Sequence, residues 1–102
     1  MNDCMDGTGD IIMPCMYINH DLENYYAQVE LPGVRKEDID LEVMENGLCI
    51  KGKKGDKDLS GCWMLAHPVN IESVKANYQE GLLDITLPMK NPLRGGKKID
   101  IQ

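Results

Sequence analysis

The side chains best suited to metal binding or redox chemistry are four cysteines and two histidines. Cys15 with His20, and Cys62 with His67, share the spacing C-x-x-x-x-H, so a tetrahedral Cys2His2 zinc site can be imagined. Residues five apart on a straight strand point to opposite faces, however, so buried thiols and exposed histidines near strand ends are the better interpretation. We therefore predict no metal site and no cofactor. Reduced cysteines that act as small apolar side chains are expected at Cys4, Cys15, Cys49 and Cys62.

Residues 47–53 match the phosphate-binding pattern G-x-x-x-x-G-K, but residue 54 is not the Ser or Thr that completes it. Lys54 follows Lys53 where nucleotide-binding loops have the Ser or Thr that holds magnesium. The Leu, Cys and Ile inside this stretch favour a strand over a Gly-rich loop. Hydroxyl side chains are few, none lies in a recognisable nucleophile turn, and no acid-base pair can be nominated. The sequence therefore predicts a protein that is not an enzyme.

The composition and net charge of the chain limit the kinds of partner that it is expected to bind. The chain has 102 residues with 42% apolar and 27% charged residues, which is typical of one globular domain. Its net charge of −6 repels phosphate backbones, so nucleic acid is not expected as a partner. No stretch approaches the roughly 18 apolar residues of a membrane span, and the first residues lack the pattern of an export signal. We expect no membrane partner and a cytoplasmic location.

The dominant periodicity of the chain is two. In residues 25–31 apolar side chains alternate with polar ones, and Pro32-Gly33 then supplies a turn. Residues 39–43, 74–78 and 83–87 alternate in the same way. On a helix the three apolar residues of 39–43 would be scattered around the axis, whereas on a strand they share one face. Short alternating segments separated by turn residues predict an all-β antiparallel sandwich.

The connections are predicted from their turn residues. Asn46-Gly47 and Glu80-Gly81 each favour a tight hairpin, Asn46-Gly47 because both residues tolerate positive φ. Residues 53–61 are polar and contain glycine, so a loop of about nine residues is expected there, with a basic hairpin tip. Residues 62–66 are apolar on both faces, which predicts a fully buried strand before Pro68.

The two ends of the chain differ from its middle. Residues 1–13 are expected to form a flexible arm, in which residues 11–13 can add a short edge strand. Residues 14–90 are the predicted domain, and residues 91–102 are a C-terminal extension. The extension ends in Ile99-Asp100-Ile101, whose two isoleucines project to the same side of an extended chain. Such a segment either completes the sheet or docks on a sheet edge by strand addition, in its own chain or on a neighbouring copy.

Three stretches together resemble the α-crystallin domain of small heat shock proteins. They are the LPGV turn with the KEDI segment in residues 31–39, ENGLCIKG in residues 45–52, and ANYQEGLLDITLP in residues 76–88. The last is similar to the family signature A-x-x-x-x-G-V-L with its closing LP. Ile99-Asp100-Ile101 is similar to the I-x-I tail of the family. The resemblance covers most of residues 14–102 and implies an immunoglobulin-like β-sandwich of six to eight strands.

The resemblance also implies a groove between the fourth and eighth family strands that accepts an I-x-I tail. The corresponding segments here are residues 39–44 and 74–78. Candidate groove residues are Ile39, Leu41, Val43, Val74, Ala76 and Tyr78. Strand alternation alone leaves open whether these side chains face a groove or the core.

Two departures from the family bear on assembly. Many microbial and plant relatives carry an additional strand that pairs with the partner subunit, and residues 53–61 are too short to supply it. Many relatives also have a long apolar N-terminal arm, whereas residues 1–13 contain few apolar side chains. The short loop weighs against a strand-swapped dimer, and the short arm weighs against large oligomers and strong client capture.

The resemblance implies an ATP-independent chaperone, a holdase, whose partners are unfolding client proteins and further copies of the chain bound through the C-terminal tail. The short arm and the short loop favour an alternative: a co-chaperone or assembly adaptor of the same fold that captures no clients.

Overall fold

A computed structural model describes residues 11–93 and 98–102. Eight strands form in the first of these ranges, joined in part by two 3₁₀ turns, Lys36–Asp38 and Ile71–Ser73. The strands are β1 (Ile11–Ile12), β2 (Cys15–His20), β3 (Asn24–Glu30), β4 (Ile39–Met44), β5 (Gly47–Lys54), β6 (Lys57–Met64), β7 (Lys75–Gln79) and β8 (Leu82–Pro88). Within the described ranges no helix is long and apolar enough to cross a bilayer.

The strands form two four-stranded sheets, which confirms the predicted all-β sandwich. One sheet has the order β1-β6-β5-β4 and the other has the order β2-β3-β8-β7. Every pairing is antiparallel except the short parallel one between β1 and β6. The immunoglobulin-like architecture thus has β4 at the outer edge of one sheet and β7 at the outer edge of the other.

The core lies between the sheets and is built from the alternating strands. In β3 and β8 the buried residues face each other in register, with Ala27 opposite Ile85 and Val29 opposite Leu83. The facing sheet contributes Leu48 and other aliphatic side chains to the same cluster. Each fully buried aliphatic side chain contributes roughly 1.5–3 kcal/mol, so the burial pattern of these strands fixes which face points inward.

Two predicted connections are wrong in detail. The β4–β5 hairpin turns at residues 45–46, so Gly47 is the first residue of β5 and pairs with Met44. Neither Asn46 nor Gly47 has positive φ. Residues 53–61, expected as a loop, continue β5 and begin β6 around a two-residue turn that starts at Gly55, where φ is +64°. Polar side chains are compatible with a strand when one of its faces meets solvent. The polar composition of residues 53–61 therefore did not distinguish a strand from a loop.

The predicted buried strand at residues 62–66 is also wrong. β6 begins earlier and ends at Met64, and only one of its faces is covered. Cys62 and Met64 are exposed, while Trp63 is half-buried with its ring lying over Gly61. The apolar run is therefore a one-sided strand whose outward side chains are sulfur-containing residues.

Cys49 and Cys62 are joined by a disulfide, which corrects the prediction of reduced thiols. The two residues are direct cross-strand partners in β5 and β6, and their Cα atoms are 4.1 Å apart. Cys15 is not a free thiol either. Spacing along the sequence gave no indication of this pairing, because the hairpin register that places Cys49 opposite Cys62 depends on the unpredicted turn at Gly55.

The N-terminal region contains one confirmed strand and one that the sequence did not predict. Ile11–Ile12 forms the expected short edge strand β1, while residues 1–10 of the predicted arm lie outside the described residues. β2 was not predicted, because most of its side chains are exposed and its apolar residues do not alternate with polar ones. The boundaries of the predicted domain, residues 14–90, remain a prediction.

Candidate functional site

An open apolar groove runs along the side of the sandwich where β4 of one sheet approaches β7 of the other. Both strands are outermost in their sheets, and in the part of the chain described here no further strand pairs with either. Each therefore presents one edge of unpaired backbone groups. We call this feature the β4–β7 groove, and its lining residues are Lys36, Ile39, Leu41, Ala76, Tyr78 and Leu83.

The alternation of β4 supplies one wall of the groove. Ile39, Leu41 and Val43 are half-buried, whereas the intervening Asp40 and Glu42 are exposed. Ile39 and Leu41 line the groove and also pack against the core cluster. The alternatives that the sequence left open, groove or core, are thus not exclusive, since an edge strand offers one side of its inward side chains to the interior and the other side to the groove.

Ala76 keeps the other wall open because its side chain is small. It pairs with Ile85 of β8 and is exposed, and Tyr78 and Leu83 continue the lining beside it. The groove has a volume of about 180 Å³. Pockets for small ligands typically measure roughly 300–1,000 Å³, so the groove is better matched to one or two side chains of an extended peptide.

Tyr78 joins β7 to the LPGV turn that precedes β4. Its hydroxyl oxygen lies 2.8 Å from the carbonyl oxygen of Leu31 and 2.6 Å from that of Val34. The single hydroxyl proton is shared between these two acceptors. Burial raises the pKa of Tyr78, so the hydroxyl stays protonated and able to donate at neutral pH. This contact helps to hold the two walls of the groove at a fixed separation.

A second contact joins the same two segments through the backbone. The N–H of Leu31 donates to the carbonyl oxygen of Gly81 over 2.7 Å. The predicted hairpin at Glu80-Gly81 is present, and the φ values of +52° and +80° are those of a type I′ turn. A Cβ atom on Gly81 would lie 3.2 Å from the Cα atom of Pro32. The two most family-like stretches, the LPGV turn and the A-x-x-x-x-G segment, therefore contact each other directly.

The structure places four of the six predicted groove residues along the groove: Ile39, Leu41, Ala76 and Tyr78. Val43 and Val74 lie outside the lining and pack against the core. Lys36 and Leu83 line the groove and were not predicted. Lys36 precedes β4 in a 3₁₀ turn, and Leu83 belongs to β8. Both residues lie outside the two segments, 39–44 and 74–78, to which the groove was assigned from the sequence.

The tail motif is exposed to solvent. Ile99 is 71% exposed and Ile101 is 97% exposed, so neither side chain is buried in this chain. Their predicted linker includes residues 94–97, which lie outside the described residues. The groove and the two isoleucines are therefore both open to solvent.

The imagined Cys2His2 site is not assembled. Neither Cys15 nor Cys62 is a free thiol. Within residues 11–93 and 98–102, no three His, Cys, Asp or Glu side chains are grouped so that they could hold a metal ion. The phosphate-loop pattern is strand β5, as the interpretation of its apolar residues predicted.

Comparisons with known proteins agree with the fold and the motifs. A family model described as the Hsp20/alpha crystallin family matches residues 17–102. The chain is 31% identical to a probable 15 kDa heat shock protein of Leptospira interrogans, over 90% of this chain and 80% of that protein. It is 35% identical to small heat shock protein C4 of Rickettsia felis, over 89% of this chain and 65% of that protein.

Among solved structures, heat shock protein 16.0 from Schizosaccharomyces pombe has a similar fold. The TM-score is 0.76 at 23% identity, and the match covers 88% of this chain and 98% of that one. The family match extends over most of the chain and includes both segments that build the groove. The chain therefore belongs to the Hsp20/alpha crystallin family, the small heat shock proteins.

Proposed function

We propose that this chain is an ATP-independent holdase that binds partly unfolded proteins in the β4–β7 groove and along the adjacent strand edges. The family consists of chaperones, which are not enzymes. The observation that carries the proposal is the open apolar groove between two free strand edges. Unpaired strand edges beside an exposed apolar surface are favourable binding sites for an extended apolar segment.

The chemistry of the groove favours an extended chain with alternating apolar residues. The free edge of β4 or β7 can form backbone hydrogen bonds with an added strand, and these bonds are independent of sequence. Ile39, Leu41 and Leu83 then contact every second side chain of the bound segment. Unfolding proteins expose many such segments, so this recognition is broad, and release follows from mass action without a nucleotide.

The tail of a second copy is the proposed competitor for the same groove. Ile99 and Ile101 are exposed, and burial of each would contribute about 1.5–3 kcal/mol before the entropy of ordering the linker is subtracted. Asp100 lies between them, and Lys36 on the groove rim offers the opposite charge. The contact is expected to be weak and reversible, so that it links subunits without permanently closing the groove.

Aggregation of heated citrate synthase in the absence of ATP tests the holdase. We expect the wild-type chain, at several-fold molar excess, to slow the growth of light scattering. Ala76→Leu places a larger side chain in the groove at an exposed position and should reduce this protection. Asn77→Leu is the matched control, because it adds the same side chain to the same strand on the opposite face.

Two results would count against the holdase. If the wild-type chain does not slow aggregation, the adaptor alternative with one specific partner becomes the better account. If Ala76→Leu and Asn77→Leu protect equally well, clients bind elsewhere on the surface. Unchanged circular dichroism spectra of both variants are required for the comparison.

Native mass by light scattering tests the tail separately. We expect Ile99→Ser with Ile101→Ser to lower the mass, and Asp100→Ser, which alters the same segment without removing an apolar side chain, to change it less. An unchanged mass in the double variant would show that the tail does not link subunits. This outcome is independent of the aggregation assay, so it does not decide whether clients are bound.

A further inference from the structure

The only two histidines of the chain, His20 and His67, meet at one end of the sandwich although 47 positions separate them. His20 is the last residue of β2, an edge strand of one sheet, and His67 follows β6 of the other sheet. Their ring centroids are 6.2 Å apart. Tyr25 lies beside both rings, at 5.4 Å from His20 and 6.3 Å from His67.

The hydrogen-bond partner of His20 favours one tautomer of its neutral ring. Its Nδ1 atom lies 3.0 Å from the carbonyl oxygen of Asp21. A carbonyl oxygen only accepts hydrogen bonds, so a favourable contact requires the proton on Nδ1. Nε2 then keeps its lone pair. A histidine that donates one ring N–H to a carbonyl and leaves the other nitrogen unprotonated has the arrangement found at metal sites.

The segments that carry the two rings are held in place by hydrogen bonds. The backbone N–H of His67 donates to the hydroxyl oxygen of Tyr25 over 3.0 Å, and Tyr25 is itself part of the buried core. After His20, one carboxylate oxygen of Asp21 accepts from the backbone N–H groups of Glu23 and Asn24, at 2.8 and 2.7 Å. Both histidines are therefore anchored at the backbone, while the side chain of His20 remains exposed.

The separation of the rings suits a shared ligand. A zinc ion bound about 2.0–2.1 Å from a ring nitrogen lies about 3.2 Å from the ring centroid, so two imidazoles on one ion have centroids between about 4.5 and 6.4 Å apart. The observed 6.2 Å lies near the upper end of this range and corresponds to an angle of about 150° at the ion. A tetrahedral angle corresponds to about 5.2 Å, so the two rings would move about 1 Å closer on binding a tetrahedral ion.

We propose that His20 and His67 form a two-imidazole binding site for a divalent transition metal ion such as Zn²⁺ or Ni²⁺, with water at the remaining positions. Imidazole nitrogen is a preferred ligand for these ions. The site differs from a closed structural zinc site because it has two protein ligands and open positions, so micromolar rather than tighter affinity is expected. A bound ion would connect edge strand β2 of one sheet to the segment that follows β6 of the other.

Titration of the untagged, oxidised chain with ZnCl₂ tests the proposal, followed by the proton NMR signals of the imidazole rings. We expect the signals of both histidines to shift together and to saturate at one equivalent of zinc. His20→Gln and His67→Gln should each weaken zinc binding at least tenfold. Asn19→Gln, at an exposed position next to His20, is the control that should leave the affinity unchanged.

Two results would overturn the site. One is that the two imidazole signals saturate at different zinc ratios, which would show separate binding events. The other is that a single His→Gln variant keeps wild-type affinity, or that the double variant still binds zinc as tightly, which would locate the ion elsewhere in the chain. The NMR spectra of the variants report at the same time whether the fold is intact.

Discussion

Replacement of Gly81 by alanine tests whether the contact between the two family-like segments stabilises the fold. Gly81 has φ of +80°, and an added Cβ atom would lie 3.2 Å from the Cα atom of Pro32. Carbon atoms in ordinary contact are about 3.5–4.0 Å apart, so one of the two backbone segments must shift. Such a shift would also strain the hydrogen bond from the N–H of Leu31 to the carbonyl oxygen of Gly81.

Gly55 provides a matched control for the effect of backbone conformation. It has φ of +64° in another two-residue hairpin turn, and a Cβ atom there would meet no atom within 4 Å. Gly55→Ala should therefore cost only the left-handed backbone penalty, about 1 kcal/mol after the reduced entropy of the unfolded chain is considered. Gly81→Ala adds an overpacking cost of about 1–3 kcal/mol, for a total of roughly 2–4 kcal/mol.

Urea unfolding measures both effects through the fluorescence of Trp63, the only tryptophan of the chain. The variants must be compared at one protein concentration, because association contributes to apparent stability. We expect the free energy of unfolding to fall at least 1 kcal/mol further for Gly81→Ala than for Gly55→Ala. Equal losses would refute the reasoning, since they would show that backbone conformation alone explains the glycine at position 81.

Two further predictions concern the disulfide and acid stability. Replacement of both Cys49 and Cys62 by alanine removes a disulfide that joins residues 13 positions apart. On the chain-entropy model this should lower the free energy of unfolding by about 3 kcal/mol. A urea midpoint equal to that of the oxidised wild type would contradict this prediction. Hydrogen bonds from two backbone N–H groups and from the hydroxyl of Tyr26 lower the pKa of Asp21. Its contribution to stability is therefore present above its unfolded pKa of about 3.9 and is lost as the pH falls through the lower folded value. Asp21→Asn should be less stable at neutral pH and should lose less stability on acidification, and equal slopes against pH would contradict this assignment.

The sequence was most informative where one face of a strand is buried and the other is solvated. Residues 25–31 and 83–87 alternate strictly, and both form strands within one residue of the predicted bounds. It was least informative where a strand buries little, as in β2, or where its polar residues resemble a loop, as in residues 53–61. In those segments register and neighbouring strands decide the conformation, and neither is encoded in local periodicity.

The candidate site was also predicted only in part from the sequence. The sequence predicted six groove residues through alternation combined with a family resemblance, and four of them, Ile39, Leu41, Ala76 and Tyr78, line the groove. It did not identify Lys36 and Leu83, because the groove is formed where two sheets meet rather than by two strands alone. Its use as a peptide-binding site and the docking of the tail remain predictions that the proposed variants test.

By itself the sequence determined the fold class and the hairpin at residues 80–81, because strand alternation and turn chemistry are local properties. It indicated the family through motifs that resemble those of known members. Tertiary structure decided which half-buried side chains face solvent, since that depends on the position of each strand in its sheet. It also decided the pairing of Cys49 with Cys62 and the approach of His20 to His67. Both depend on strand register and sheet packing, which bring together residues whose spacing along the chain carries no signal of contact.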